Sequence, residues 1–600
     1  MAGPWRFGAP LTSAVYCAAA ILALKALAVP NVVGGVAAGE SGLVRSRQPI
    51  ALAFSPDGAR LFVANRGSGS LSVIDTRGAR VVSEIDVGRS LADVAALPDG
   101  RHLLAIDRGA DSLLLLELRD DTAVVAARLA MGADPIRLQV WDDGSRCAVT
   151  MLGARRLTIV DLGPRDAGGR PAMKVSRTID LPFAPRELAL VRGQTGLVVA
   201  DGYGGKLAVI DPSRGSLDSL RTLPAHNIRG LATSTDGRTL IVAHQTLHRL
   251  ARTSFEDVHW GSLIGNHLRV LRLDAVMAAG TDADLLRGSV LRDLGEVGNA
   301  AADPSGLAVG RSGDLMVALG GVNEVALGRD PASALRRTAV GGGPAAVAID
   351  PKGLAAYVAD SFDDTVSVIE ISTGQRLRTI SLGPRPDLTL TERGERLFHD
   401  AKLSHDGWMS CQSCHTDGRS NGLLADTLGD GSYGTPKRVP SLRGVGSTGP
   451  WNWTGSSERL EDQVRKSIET TMQGPSPTDD QVNALVAYLR ELPAARPQAT
   501  AGPAVAAERG RRIFQVRHCD ECHAPPEYTS AGRFDVGLAD EAGNRKFNPP
   551  SLREVGLRGT LFHDGRAKSL EDVFLKFRHP RDSATTSEEA SDLAAFLKTL

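Results

Sequence analysis

The chain has 600 residues, more than one hydrophobic core usually holds, so several domains are expected. Its 69 basic residues balance 69 acidic ones, which removes the electrostatic case for nucleic acid or an anionic membrane surface as a partner. Abundant glycine (65 residues) and scarce aromatics suit many short strands and tight turns better than a helical bundle. Residues 1–38 read as a signal peptide or anchor: Arg6 precedes an apolar run over 11–29, and the small residues Val36, Ala37, Ala38 and Gly39 follow. Lys25 would be costly in a permanent span, so cleavage is expected, and membrane contact is expected only through an uncleaved N-terminus. Cys17 lies in this leader behind Tyr16, which does not suit lipidation, and Cys147 reads as a buried small hydrophobe on a strand.

From 45 to 385 a pattern recurs about every forty residues. It runs as an apolar strand, a Pro-Asp-Gly-like turn, a second strand, a polar turn and a strand ending in Val-Ile-Asp. The clearest copies are 51–75 (ALAFSPDGARLFVANRGSGSLSVID) and 347–370 (VAIDPKGLAAYVADSFDDTVSVIE). Weaker copies at 97–117, 141–161, 196–211, 231–244 and 307–328 bring the number to seven. A sheet of this kind cannot bury both faces alone, so seven blades stacked radially into a β-propeller are expected. The copies resemble the YVTN-type propeller repeat. The fifth is swollen by an insertion over 244–265 that holds His244, His248, His259 and Trp260. With no cysteine or paired carboxylate at metal-ligand spacing, these histidines read as hydrogen-bonding within a folded loop.

Past Pro386 the character changes. Residues 391–400 and 478–492 read as helices, 493–503 as a Pro/Ala-rich linker, and 508–514 as the opening of a second unit that closes with a helix over 587–600. Two domains follow, 387–495 and 503–600, each expected to be mostly α-helical and class I cytochrome c-like. Each carries one Cys-x-x-Cys-His motif: Cys411, Cys414 and His415 in the first, Cys519, Cys522 and His523 in the second. Two thiols at that spacing reach the two vinyl groups of haem c, and the adjacent imidazole binds the iron. Two covalently attached haems are therefore expected. Their attachment requires export in a bacterium, which agrees with the leader and points to the periplasm.

The two haem units are copies. Pro440 to Arg443 (PSLR) recurs as Pro550 to Arg553, and Leu460-Glu461-Asp462 as Leu570-Glu571-Asp572, at one constant offset. On that register Trp453 aligns with His563, Ser467 with Phe577, and Glu469 with His579. The second unit contains no methionine, so its sixth iron ligand falls to His579 first and Tyr528 second. In the first unit the sixth position is either vacant or taken by Met472, which reads rather as a helix core residue filling an apolar gap. Arg443 and Arg553 read either as partners of haem propionates or as exposed ion pairs.

Residues 397–415 (LFHDAKLSHDGWMSCQSCH), 439–462 (VPSLRGVGSTGPWNWTGSSERLED) and 549–572 (PPSLREVGLRGTLFHDGRAKSLED) resemble the bacterial di-haem cytochrome c peroxidase family. That family includes the enzyme that builds tryptophan tryptophylquinone in an amine dehydrogenase. The resemblance spans 387–600. It implies a first haem that reacts with peroxide, a second that stores and relays electrons, and a tryptophan between them, here Trp453. The family's distal acid/base position falls on Gln473, where an amide moves protons badly; Glu469, one helical turn earlier, is the substitute. Its sixth-ligand position on the second haem falls on Phe577, which cannot bind iron, and this again points to His579. The implied function is a peroxidase-type oxidoreductase served by a redox partner protein, a small cytochrome or cupredoxin, with hydrogen peroxide as a possible substrate. The alternative is an electron carrier with both irons six-coordinate. In a third reading the propeller itself holds an active site.

Overall fold

The computed structural model describes residues 45–165, 171–191, 196–278, 281–330, 333–493, 504–580 and 584–600. The expected leader and most of the expected linker lie outside the described residues.

Seven four-stranded antiparallel sheets occupy 49–381, and in each the strands hydrogen-bond in sequence order. The innermost strand of each sheet packs on the next, from Pro49–Phe54 through Leu91–Ala96 round to Pro344–Ile349, which returns against the first. The domain is therefore the expected seven-bladed propeller, and the clearest recurring segments, 51–75 and 347–370, supply the first three strands of their blades. The middle strands, Arg60–Asn65 and Ser70–Asp75 for example, are buried on both faces between neighbouring blades, whereas fourth strands such as Arg376–Ser381 are largely exposed. The Pro-Asp-Gly turn works as its residues require. Asp57 accepts from the Ser55 hydroxyl at 2.6 Å, and Gly58 takes a left-handed φ of 72° that lets the strand reverse.

The fifth blade departs from the sequence reading at its edges. Its strands Thr239–Leu247 and Ile264–Arg272 pair continuously, with His244 opposite His267, so the insertion proper is 248–263. His244 is a buried strand residue whose ring lies 5.4 Å from that of His267. Nothing in the sequence stops the strand at 244; a turn signal arrives only later. Within the insertion a short helix, Phe255–His259, is capped by Ser254. Two more short helices, Leu273–Met277 and Asp282–Leu286, stand before the blade's outer strand.

The region after 386 is helical, with two short two-stranded ribbons. Helix Leu390–Phe398 opens with a Thr389–Glu392 capping box and crosses helix Asp479–Glu491. At the crossing a Cβ on Gly394 would stand 1.9 Å from the Ala484 carbonyl oxygen, so only glycine admits the approach. The second unit repeats the crossing with Ala504–Val516 and Ser587–Leu597, where Gly510 meets the Asp592 carbonyl oxygen at the same 1.9 Å. Cys147 is buried on strand Arg146–Met151, and burial pushes its thiol up to about 12, as suits an inert small hydrophobe. Among the described residues no helix is long and apolar enough to cross a membrane.

Candidate functional site

The first Cys-x-x-Cys-His segment lies against the propeller. It forms one helical turn, Cys411–Cys414, opened by a capping box on Ser410. Asp303, between the fifth and sixth blades, accepts from the hydroxyls of Ser410 (2.5 Å) and Ser413 (2.7 Å), and Asn227 donates to the Ser413 carbonyl at 2.9 Å. Two residues past His415, the Asp417 carboxylate sits between Arg186 and Arg229 of the propeller, 2.9 Å from the latter. Burial works to raise its pKa, but those two guanidiniums and Arg108 hold it well below the usual carboxylate range.

His415 lines a cavity of about 300 Å³ together with Cys411 and Cys414. Its Nδ1–H donates to the Pro440 carbonyl at 3.0 Å, which leaves Nε2 as the free donor atom. Burial lowers its pKa to about 4, so the ring is neutral, the form that binds a metal. Arg438, Arg443, Arg553 and Arg558 line the same cavity. The Nε atoms of Arg438 and Arg443 are buried without a hydrogen-bond partner. Burial, with Arg558 as a like-charged neighbour, lowers Arg438 to about 9. Guanidiniums crowded in this way ask for an anion, and the propionates of a haem would supply one. Two free thiols, a pre-oriented imidazole and orphaned arginines thus fit haem c. Arg443 and Arg553 are among the residues expected at this place; Arg438 and Arg558, which flank the two Pro-Ser-Leu-Arg segments, carry no sequence signal of this role.

The cavity lining also includes Met472, which is 4% exposed, with Ser467 and Thr471. The backbone over Ser467–Thr471 is a π-helical turn, a widening often found at functional sites. Glu469 is exposed and does not line the cavity. Gln473 does not line it either; its Nε2 donates to the carbonyls of Thr253 (2.7 Å) and Thr470 (2.9 Å).

Trp453 lies where the two haem units meet. Its Nε1 donates to the Arg438 carbonyl at 2.7 Å, its own carbonyl accepts from Asn548 N at 2.9 Å, and its ring stands edge-on to His563 at 6.4 Å. His563 in turn stacks on Phe547 at 4.3 Å. The two positions that align in the duplication therefore touch across the junction.

The second motif has another setting. Its Cys519 and Cys522 are half-buried free thiols, while Asp520 and Glu521 between them are exposed. His523 Nδ1 donates to the Tyr528 carbonyl at 3.1 Å, repeating the orientation of His415 and engaging Tyr528 through its backbone. The ring of His579 stands 6.5 Å from that of His523, and its Nδ1 is buried without a partner. Two imidazoles on opposite faces of one metal, each with a bond of about 2 Å and about 1 Å from nitrogen to ring centre, have centres about 6 Å apart. The residues of this site thus fit a haem held between two histidines. Burial, then His523, lowers His579 to about 4, so it too is neutral. Phe577 packs edge-on against Phe562 at 5.5 Å.

Residues 389–502 match the family model of the di-haem cytochrome c peroxidase. The chain is 26% identical over 275 residues to methylamine utilization protein MauG of Methylorubrum extorquens, covering 34% of this chain and 76% of that one. It is 28% identical over 274 residues to hydrazine synthase subunit gamma of Kuenenia stuttgartiensis, covering 35% and 77%. Cytochrome c551 peroxidase of Nitrosomonas europaea is 23% identical over 305 residues, covering 39% and 90%.

Proposed function

Because this chain carries a di-haem cytochrome c peroxidase domain behind a seven-bladed β-propeller, we propose that it is an exported, periplasmic oxidoreductase of peroxidase type, with an accessible centre on His415 and a relay centre on His523 and His579. The observation that carries this reading is asymmetry: the imidazole of His579 stands 6.5 Å from that of His523, whereas His415 is the only histidine among the residues that line its cavity. When bound, the haems would supply one-electron chemistry and, at an open position, a place for a small oxidant such as hydrogen peroxide. The chain's own groups have definite tasks. Pro440 and Tyr528 orient the two iron-binding imidazoles through their carbonyls. Trp453, fixed by Arg438 and Asn548, offers an aromatic step between the units.

Reduction of peroxide to two waters takes up two protons and two electrons. The hydroxyls of Ser467 and Thr471 line the cavity and can hold and pass protons, whereas Gln473 is engaged with backbone carbonyls and Glu469 faces solvent. Electrons would enter at the exposed edge around Asp520 and Glu521 from a redox partner of small cytochrome or cupredoxin type.

A second reading, a pure electron carrier, is favoured by one observation: Met472 is buried on the wall of the cavity that holds His415 and could cap the iron. Electron paramagnetic resonance of the oxidised protein separates the two. One high-spin and one low-spin signal, with the high-spin centre altered by hydrogen peroxide, supports the oxidoreductase. Two low-spin signals indifferent to peroxide leave the carrier.

A further inference from the structure

Away from both haem sites, three ligand-type side chains converge where the propeller insertion meets the first haem unit. His259 ends the short helix Phe255–His259, and His405 and Asp406 belong to the turn His405–Gly407, 146 residues further along the chain. His259 Nδ1 and His405 Nε2 are 3.0 Å apart, and each lies 3.5 Å from Asp406 Oδ2. Zinc bonds of about 2.0–2.1 Å at the tetrahedral angle place ligand atoms about 3.3 Å apart, so this triangle has the size of one face of a tetrahedral site.

Hydrogen bonding alone explains the trio poorly. Two histidine–aspartate hydrogen bonds elsewhere in the protein show the length such a bond takes: His102 Nδ1 to Asp99 and His267 Nδ1 to Asp293 are both 2.7 Å. The two 3.5 Å contacts to Asp406 are too long for such bonds, and one histidine–histidine bond accounts for a single edge of the triangle. The groups are also held in place. Asp406 Oδ2 takes the Gly298 N–H at 3.1 Å, and the Phe255 ring stacks on His259 at 5.5 Å and lies 4.7 Å from His405. The three side chains are 30%, 25% and 21% exposed, enough for water to complete the shell.

We propose that His259 Nδ1, His405 Nε2 and Asp406 Oδ2 bind one divalent transition-metal ion of the zinc type, with water as the remaining ligand. Two imidazoles and a carboxylate select such an ion over calcium, which takes oxygen ligands. The ion would tie the insertion to the chain leading into Cys411. His405 N–H also donates to the Met472 carbonyl at 3.0 Å, so the clamp reaches the wall of the haem cavity.

The test is calorimetric titration of zinc chloride into the chelator-treated holoprotein, whose haems are covalently held, with metal analysis after gel filtration. The expected result is one zinc per chain with a dissociation constant below about 10 µM and no calcium heat. His259→Ala and His405→Ala should each weaken binding at least about tenfold, and His248→Ala, in the same insertion but exposed, should not. His405→Gln, which keeps bulk, serves if alanine disturbs the turn. Absence of saturable zinc binding in the parent protein, or binding that survives both substitutions, overturns the proposal.

Discussion

The two haem units descend from one pattern, yet they are held in opposite ways. The first is built into the propeller. Its core includes Ala251, Val258 and Leu263 from the propeller insertion beside its own Phe398, Leu460 and Met472. Asp417 is gripped by Arg186 and Arg229, and Asp303 bridges Ser410 and Ser413. The second unit has a core of its own residues alone and meets the rest through the Trp453–His563 ring contact and through ion pairs, among them Arg419 with Glu554 (3.0 Å) and Lys437 with Asp540 (3.1 Å). Its haem-binding loop is open to solvent at Asp520 and Glu521. A cavity keeps its shape when its walls are fixed to a rigid support, and a relay needs an edge that a partner can reach. The duplication thus supplies one scaffold twice, and the propeller makes the difference between the copies.

The sharpest way to break that contrast is His579→Ala. If His579 caps the second iron, the substitution removes its low-spin signal entirely, and the oxidised protein shows two high-spin centres by electron paramagnetic resonance. Imidazole in solution should restore the low-spin signal. A low-spin second centre that persists in the variant assigns the ligand elsewhere, Tyr528 being next.

The propeller's grip is tested by Asp417→Asn. Arg186 keeps 5% side-chain exposure and Arg229 18%, so removing their shared carboxylate strands two positive charges. Breaking such a pair costs about 3–5 kcal/mol, and thermal unfolding followed at the first haem should shift down while the second haem's environment changes little. Equal shifts at both haems would show that the units do not differ in their dependence on the propeller.

The parts of this molecule written in short stretches were readable in the sequence. Alternating strands and Pro-Asp-Gly turns announced the seven blades, and the two Cys-x-x-Cys-His segments pointed to the di-haem cytochrome c peroxidase family whose model matches 389–502, because each signal is local. The helices over 390–398 and 479–491 followed from period and capping residues, within a residue or two at each end. The alignment of Trp453 with His563 was readable because the duplication carries no gap between them; that the rings touch needed the way the units pack. Long-range juxtapositions left no trace. His259 meets His405 and Asp406 across 146 residues, so no spacing rule finds them, and the insertion histidines read as ordinary loop residues. Glu469 stood out by its distance of one helical turn from Gln473, but the cavity face is the stripe Leu460, Val464, Ser467, Ile468, Thr471 and Met472, which leaves both Gln473 and Glu469 outside. Arg438 matters because burial leaves its Nε without a hydrogen-bond partner, a property of packing rather than of sequence.

The smallest expected effect falls on Met472. Leucine there keeps the apolar volume of the cavity wall and should cost less than about 1.5 kcal/mol, since it packs among residues of the first unit's own core. If the cavity beside His415 is open, Met472→Leu leaves the high-spin signal and the response to peroxide unchanged. If the sulfur caps the iron, the same substitution converts a low-spin centre to high-spin and lowers its midpoint potential, because a thioether ligand holds that potential up. The substitution is gentle on packing and complete in removing sulfur, so a spectral change reports ligation and an unchanged spectrum reports a core methionine. Only the second outcome preserves the contrast between a capped centre and an accessible one.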